Sequence, residues 1–532
     1  MGNRRVRGLL LALAVVFLVV AVVAGCAPKT PAPAPTTPAQ PPAPPPPPKP
    51  KVLTIASGTD IERLDPHLST ASPTFSVLSH IFETLFFMSP TGEVKPELAE
   101  TFKVEPEGNV YTITLRKGVK FSDGTPFDSH AVKVNLERVL NVENKAAYRS
   151  LINTVTDIRI IDSHTIQLVT ERPFGPMLSH LSHSGLAIIS PKALAEGPDY
   201  LARNPVGTGP FVLKEWKQGE SVTLAKRADY WRTPAALDEV VFKVVKEDGA
   251  RLIEVESGTS DIAVRVPPSE VERLQKNPNL VIDRTVGLRT IYVYFNVTKP
   301  PFDDVRVRQA FNYAVDKDAI VNHLLLGAAR VSDAPIAPAV FGYAQQTAYK
   351  RNVEKAKALL QEAGYGSGLK VTFHHPTGRY VQDARIADAI RAQLAEVGVT
   401  LELVTMEWPL YLEAIRKPLA ENQVSMALLG WGCVTMDADY ALYDLFHSAQ
   451  WAPSFNLGFY KNERVDRLLH DARNTADTTK RLAYYREAQQ LLWADAPWLF
   501  LHSEVQLTAL RKDVKGFMVH PTERLMAHSA DK

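Results

Sequence analysis

Cysteine is nearly absent: 532 residues contain only Cys26 and Cys433. If Cys26 is modified, Cys433 has no partner, so no internal disulfide is available and stability must come from packing. Excess charge of either sign is also missing. Sixty Lys and Arg stand against 58 Asp and Glu, for a net charge of +2. That balance offers no electrostatic case for binding nucleic acid or for a polybasic membrane patch. Signatures of hydrolytic or redox chemistry are missing too: there is no Gly-x-Ser-x-Gly elbow, no His-Glu-x-x-His helix and no Cys-x-x-Cys pair. Ser184 has His183 beside it, but sequence neighbours do not make a triad. Gly207 and Gly209 are not a nucleotide fingerprint, because Val212 stands where a third glycine is needed. They are better read as permitting a close turn before a strand.

One long apolar run is present, and it stands at the start. Arg4, Arg5 and Arg7 precede Leu9 to Ala24, and Val23-Ala24-Gly25-Cys26 closes the run. A basic segment, an apolar core and a small-residue end make a secretion signal. At about 16 residues the run falls short of the ~20 that a spanning helix prefers. Val-Ala-Gly-Cys resembles a bacterial lipobox, which implies that Cys26 carries lipid and becomes the mature N-terminus. An uncleaved signal anchor is the alternative, and both readings put residues 51–532 outside the cytoplasm. Residues 27–50 are Pro, Ala, Thr and Lys with a single Gln40, and carry a run of five prolines from Pro44 to Pro48. Proline fixes φ and removes donors, so this stretch reads as an extended polyproline spacer reaching roughly 70 Å.

About 480 residues remain, too many for one hydrophobic core, so two lobes are expected. The apolar fraction of 45% and charged fraction of 22% are those of an ordinary soluble chain. Val52 to Ser57 reads as a strand, and a helix is expected from Pro73 through Leu85. Residues 111–115 alternate as a half-buried strand should. Asp128 or Ser129 caps a helix carrying Val132, Leu136, Val139 and Leu140 on one face. Residues 154–161 and 165–170 flank Asp162-Ser163 as a hairpin. Later, residues 291–296 alternate again, Asp303 or Asp304 caps a helix, and Asp316 caps another. Residues 369–373, a helix face of Ile386, Ile390, Leu394 and Val397 ended by Gly398, and residues 399–403 form a βαβ unit. Such a unit implies a parallel sheet.

Three separated stretches carry a family resemblance: residues 111–127 (YTITLRKGVKFSDGTPF), 204–211 (NPVGTGPF) and 302–316 (FDDVRVRQAFNYAVD). Together they resemble the family 5 extracellular solute-binding proteins, the peptide and nickel receptors of ABC importers. The resemblance implies an α/β, two-lobe, type II periplasmic-binding-protein-like fold with a β-rich subdomain inserted in the first lobe. It divides the chain into a signal peptide over 1–26, a linker over 27–50, a first lobe over 51–290 completed by 502–532, and a second lobe over 291–501. The inserted subdomain is expected at about 85–203. It further implies a monomeric, non-catalytic receptor without cofactor. Such a receptor closes on a peptide between its lobes and delivers it to a membrane permease driven by an ATPase.

Three places are candidates for the ligand. Arg379, in the Gly378-Arg379-Tyr380 loop, resembles the arginine that holds a ligand carboxylate in dipeptide receptors, and a guanidinium fork suits that task. In Gly430-Trp431-Gly432-Cys433-Val434, Trp431 offers a flat wall. Asp437 or Asp439 is placed to meet an amine or, equally, to cap its own loop. Val434 stands where the family often has aspartate, and Asp437-Ala438-Asp439 looks closer to glutathione-binding receptors. The third place is the loop after the first strand, with Asp60 foremost, together with Tyr292 and Asn296 at the crossover. A nickel-complex receptor is an alternative within the family, with His374-His375 as the nitrogen source. Adjacent residues on a strand face opposite sides, which argues against both meeting one ion. An exported hydrolase is the alternative from another class.

Overall fold

A computed structural model describes residues 50–532 apart from Glu62, Gly378 and Glu407. The signal segment, Cys26 and the tether through Lys49 lie outside the described residues. The axis of the fold is an antiparallel pair of long strands, Leu280–Phe295 and Trp498–Arg511. They pair from Leu280 opposite Arg511 to Tyr294 opposite Trp498, with a register shift between Val286 and Thr290. An eleven-stranded sheet grows outward from this pair in both directions.

On one side lie Ile262–Val264, Val52–Ser57, Glu239–Val244, Ser221–Lys226 and Phe211–Lys217. Their inward residues, with Val514, Val519 and Leu525 near the chain's end, form the first lobe's core. On the other side lie Met426–Gly432, Leu369–Pro376 and Val399–Met406. The last two are parallel, Leu369 opposite Val399, and the helix Asp383–Ala395 between them buries Ile386, Ile390 and Leu394. This is the expected βαβ unit, and the architecture is the α/β two-lobe class expected from the sequence. The second lobe's sheet is buried on both faces. Ile291, Val293 and Phe295 join one apolar core, and Tyr292 and Tyr294 join the other.

A separate four-stranded antiparallel sheet, ordered 99–104, 110–115, 165–170, 155–162, packs under the helix Ser129–Leu140 with its own core of Tyr111, Ile113, Val132, Leu136 and Ile166. Asp128 caps that helix by accepting the Ala131 N–H at 2.9 Å. Asp304 and Asp316 likewise accept N–H groups at the starts of their helices. One expectation needs correction. The helix expected through Leu85 is Ser72–Leu78 and ends there. The carbonyls of His80 and Ile81 accept the N–H groups of Phe211 and Gly209 instead, at 3.0 and 2.9 Å. The two glycines allow this approach: a Cβ at Gly209 would sit 2.6 Å from the His80 carbonyl oxygen, and one at Gly207 2.1 Å from that of Ile81. Among the described residues no helix is long and apolar enough to cross a membrane.

Candidate functional site

A cavity of about 650 Å³ opens between the lobes, beside the register shift of the two long strands. Gly58, Thr59 and the segment Val264–Pro268 wall it on the first lobe's side, and Arg379–Gln382 on the second's. Arg289 and Glu504 come from the two crossing strands, and Glu523 from a turn near the C-terminus. An irregularity of this kind re-aims side chains, and Arg289 lies within it. Gly432 stands opposite Arg289 in register, where a Cβ would lie 3.4 Å from the guanidinium.

The electrostatics are built around these groups. Arg289 lies 3.5 Å from Glu504 and 3.5 Å from Glu523. Burial opposes its charge, but the two carboxylates outweigh burial and raise its pKa. Burial raises the pKa of Glu504, while Arg289, Arg379 and Arg265 pull it the other way. Three guanidinium groups thus act on one carboxylate from both lobes and the crossover. Arg265 holds a φ of +57°, a left-handed conformation that costs of order 1 kcal/mol in a non-glycine residue and is common at ligand sites. Arg379 is exposed, its guanidinium 4.9 Å from the ring centre of Tyr380. The loop holding it is fixed by Asp383, which accepts the N–H groups of Arg379 and Tyr380 at 2.8 and 3.1 Å. The Gly430 N–H donates to the Tyr380 hydroxyl at 2.9 Å, tying this loop to the Gly-Trp-Gly strand.

The remaining candidates lie elsewhere. Asp60 accepts the Gly219 N–H at 2.6 Å, so it braces a turn while its neighbours Gly58 and Thr59 line the cavity. Tyr292 is buried and stacked on Trp498 with ring centres 3.5 Å apart. Asn296 is buried, donating to the Val424 carbonyl and accepting from Thr298. Trp431 is half-buried against Tyr440 and Phe455, with its indole N–H on the Tyr440 carbonyl.

Asp437 and Asp439 are buried and ion-paired. Asp437 meets Arg481 at 2.7 Å and accepts the Ser179 hydroxyl at 3.2 Å. Asp439 takes Nε and Nη2 of Arg473 at 2.9 and 2.8 Å. Burial would raise the Asp439 pKa, but Arg473 overrides it and holds the carboxyl below its ordinary value. These contacts favour the loop-bracing role over an open amine site. Cys433 is buried with its thiol on the Asp437 carbonyl, and burial pushes its pKa well up, which makes it a poor nucleophile. His375 lies buried against Thr405, while His374 faces the other side of the strand, half-buried. Among the described residues no group of three or more His, Cys, Asp or Glu is arranged to hold a metal.

Of the charged residues lining the cavity, the sequence motifs point to Arg379 and not to Arg265, Arg289, Glu504 or Glu523. A charged residue following Gly287 inside an otherwise alternating strand is the signal that marks Arg289.

Residues 93–453 match the family described as bacterial extracellular solute-binding proteins, family 5 Middle. The glutathione-binding protein GsiB of Salmonella choleraesuis is 32% identical over 489 residues, covering 90% of this chain and 94% of its own. The chain belongs to this family. It is therefore a solute-binding receptor of ABC transporters and not an enzyme. HbpA2 from Haemophilus parasuis superposes with a TM-score of 0.83 at 27% identity, over 90% of this chain and 99% of that one. DppA from Helicobacter pylori, an ABC transporter-associated periplasmic binding protein solved with the peptide STSA, gives 0.73 at 29% identity, over 90% and 98%.

Proposed function

We propose that this receptor captures short peptide-like solutes bearing carboxylates in the interlobe cavity and delivers them, as a monomer, to an ABC permease and its ATPase. The observation that carries the reading is the convergence of Arg265, Arg289 and Arg379 with Glu504 and Glu523 on a cavity of about 650 Å³. That volume is in the range for small-molecule sites. Guanidinium forks bind carboxylates bidentately, and a nearby carboxylate suits an ammonium. A ligand touching Arg265 and Arg379 together gains contacts available only when the lobes are close, so binding shifts an open–closed equilibrium. Lipid on Cys26 and the proline spacer would hold the receptor outside the cytoplasm yet clear of the membrane. Two acyl chains suffice for stable anchoring.

Glutathione is the second reading. A relative 32% identical carries that name, and glutathione's two carboxylates and one ammonium suit a site richer in arginine than in glutamate. The test is mass spectrometry of ligand co-purified with the signal-deleted protein, followed by calorimetry with dipeptides, oligopeptides and glutathione. Stoichiometric binding without turnover is expected. Peptide cleavage at catalytic protein levels would overturn the reading. Cys26→Ser should move the protein from the membrane fraction to the soluble exported fraction.

A further inference from the structure

The C-terminal turn that supplies Glu523 to the cavity also supplies Arg524, which reaches the other way. Glu523 holds a φ of +69° and its N–H donates to the His520 carbonyl, so the turn is tight. The Glu523 carboxylate faces Arg289. Arg524 instead donates from Nη1 to the Ser184 hydroxyl and from Nε to the Thr522 hydroxyl, both at 3.0 Å. It lines a small recess where Thr70, Tyr148 and His183 of the first lobe meet Val434 of the second. Its other side borders a cavity of about 430 Å³ inside the first lobe.

What makes Arg524 unusual is its lack of a counter-ion. Among the described residues no carboxylate lies within ion-pair distance of it. Glu97 acts on it only from further off, and that carboxylate is already engaged by the N–H and hydroxyl of Thr84. The histidines on which its charge acts are His183 and His520, both buried, and His528, half-buried. Burial and the arginine's own charge keep each of them neutral. Burial also pulls the Arg524 pKa down to about 10, so it remains charged at neutral pH. Arg524 is half-buried, and a partly desolvated cation with no carboxylate paired to it favours an anionic ligand. Two neutral hydroxyls orient this guanidinium without neutralising it, and Arg524 lines both the recess and the first-lobe cavity, the latter shared with Glu83 and Glu97.

We infer that Arg524, held by Ser184 and Thr522, is a second carboxylate subsite at the Val434 end of the cleft, so that the preferred solute carries two acidic groups. The inference rests on the peptide-like reading above and adds to it a requirement on the solute. One carboxylate meets the Arg265–Arg289–Arg379 group and the other meets Arg524. Val434 brings no charge to this end of the cleft, so the recess selects for an acid and not for an amine.

The experiment is calorimetry on the full chain in detergent. The probes are glutathione, its two monoamides, and a panel of two- to four-residue peptides with an acidic side chain, each with its C-terminal amide. The wild type should bind at least one diacid about tenfold or more tightly than a matching monoamide. Arg524→Gln should abolish that preference, and Arg524→Lys should keep part of it. Equal wild-type affinity for every diacid and its monoamides overturns the inference whether or not the variants fold. So does an Arg524→Gln protein that weakens diacids and monoamides by the same factor, which would mark a scaffold role. In either case monoacid peptides would still bind and the peptide-like reading would stand. Absence of binding by every probe would remove both.

Discussion

Replacing Arg481 with methionine strands a buried carboxylate. Asp437 and Arg481 are 2% and 5% exposed, and their charged atoms meet at 2.7 Å. Without the guanidinium, Asp437 retains the Ser179 hydroxyl and the Asp439 N–H at 3.2 and 3.0 Å. Neither supplies charge. Leaving one member of a buried pair alone costs about 3–5 kcal/mol. The arginine also donates to the Ala472 carbonyl and the Tyr485 hydroxyl, so the single substitution should fall toward the upper end. Asp437→Asn on that background removes the stranded charge while an amide oxygen still accepts from Ser179. The double variant should recover most of the loss, giving a coupling of about 2 kcal/mol or more. Urea unfolding followed by tryptophan fluorescence reads this as a midpoint that falls and then recovers at constant slope. Peptide affinity of the double variant should stay within a few-fold of wild type, because the pair lies outside the cavity lining. Additive stability losses would refute the ion-pair argument. Retained stability with lost affinity would return Asp437 to the ligand.

Arg379→Ala should weaken binding of a carboxylate ligand by about 1.5–3 kcal/mol, read by calorimetry, and unchanged affinity would remove it from the site. Gly207→Ala should lower the melting temperature by an amount matching at least about 1–3 kcal/mol, since the new Cβ would meet the Ile81 backbone oxygen at 2.1 Å. Glu83 accepts from Tyr230 and Trp231, and its carboxyl is raised to about 7, first by burial and then by Glu97. Between the ordinary value of 4.5 and about 7 the folded state therefore binds the extra proton. Its contribution is complete below pH 4.5 and is lost as pH rises through 7, at most about 3 kcal/mol. Glu83→Gln should flatten that part of the stability profile, and a profile parallel to wild type would contradict the assignment.

Legibility followed the range of the forces involved. Asp128, Asp304 and Asp316 were readable as caps because a side chain and the N–H it accepts are two or three residues apart. The alternation of residues 291–296 marked a strand, but alternation is silent on how many faces are covered. Apolar layers on both sides enclose Tyr292, which sequence reasoning had put at the ligand. The helix beyond Leu78 failed for a similar reason: its apolar residues fit a helical period, and the competing partners, Gly209 and Phe211, lie about 130 residues away.

The sequence alone determined the family, the βαβ unit and the helix caps at Asp128, Asp304 and Asp316, because these are written in local spacing and in motifs. Only the tertiary structure decided which charges line the interlobe cavity and which are paired away from it. Asp437 and Asp439 look alike in a loop, yet arginines 44 and 34 residues further on neutralise them. Arg289, Glu504 and Glu523 come together because two long strands cross beside a tight C-terminal turn. A charge's availability depends on what stands opposite it after folding, and no local pattern specifies that.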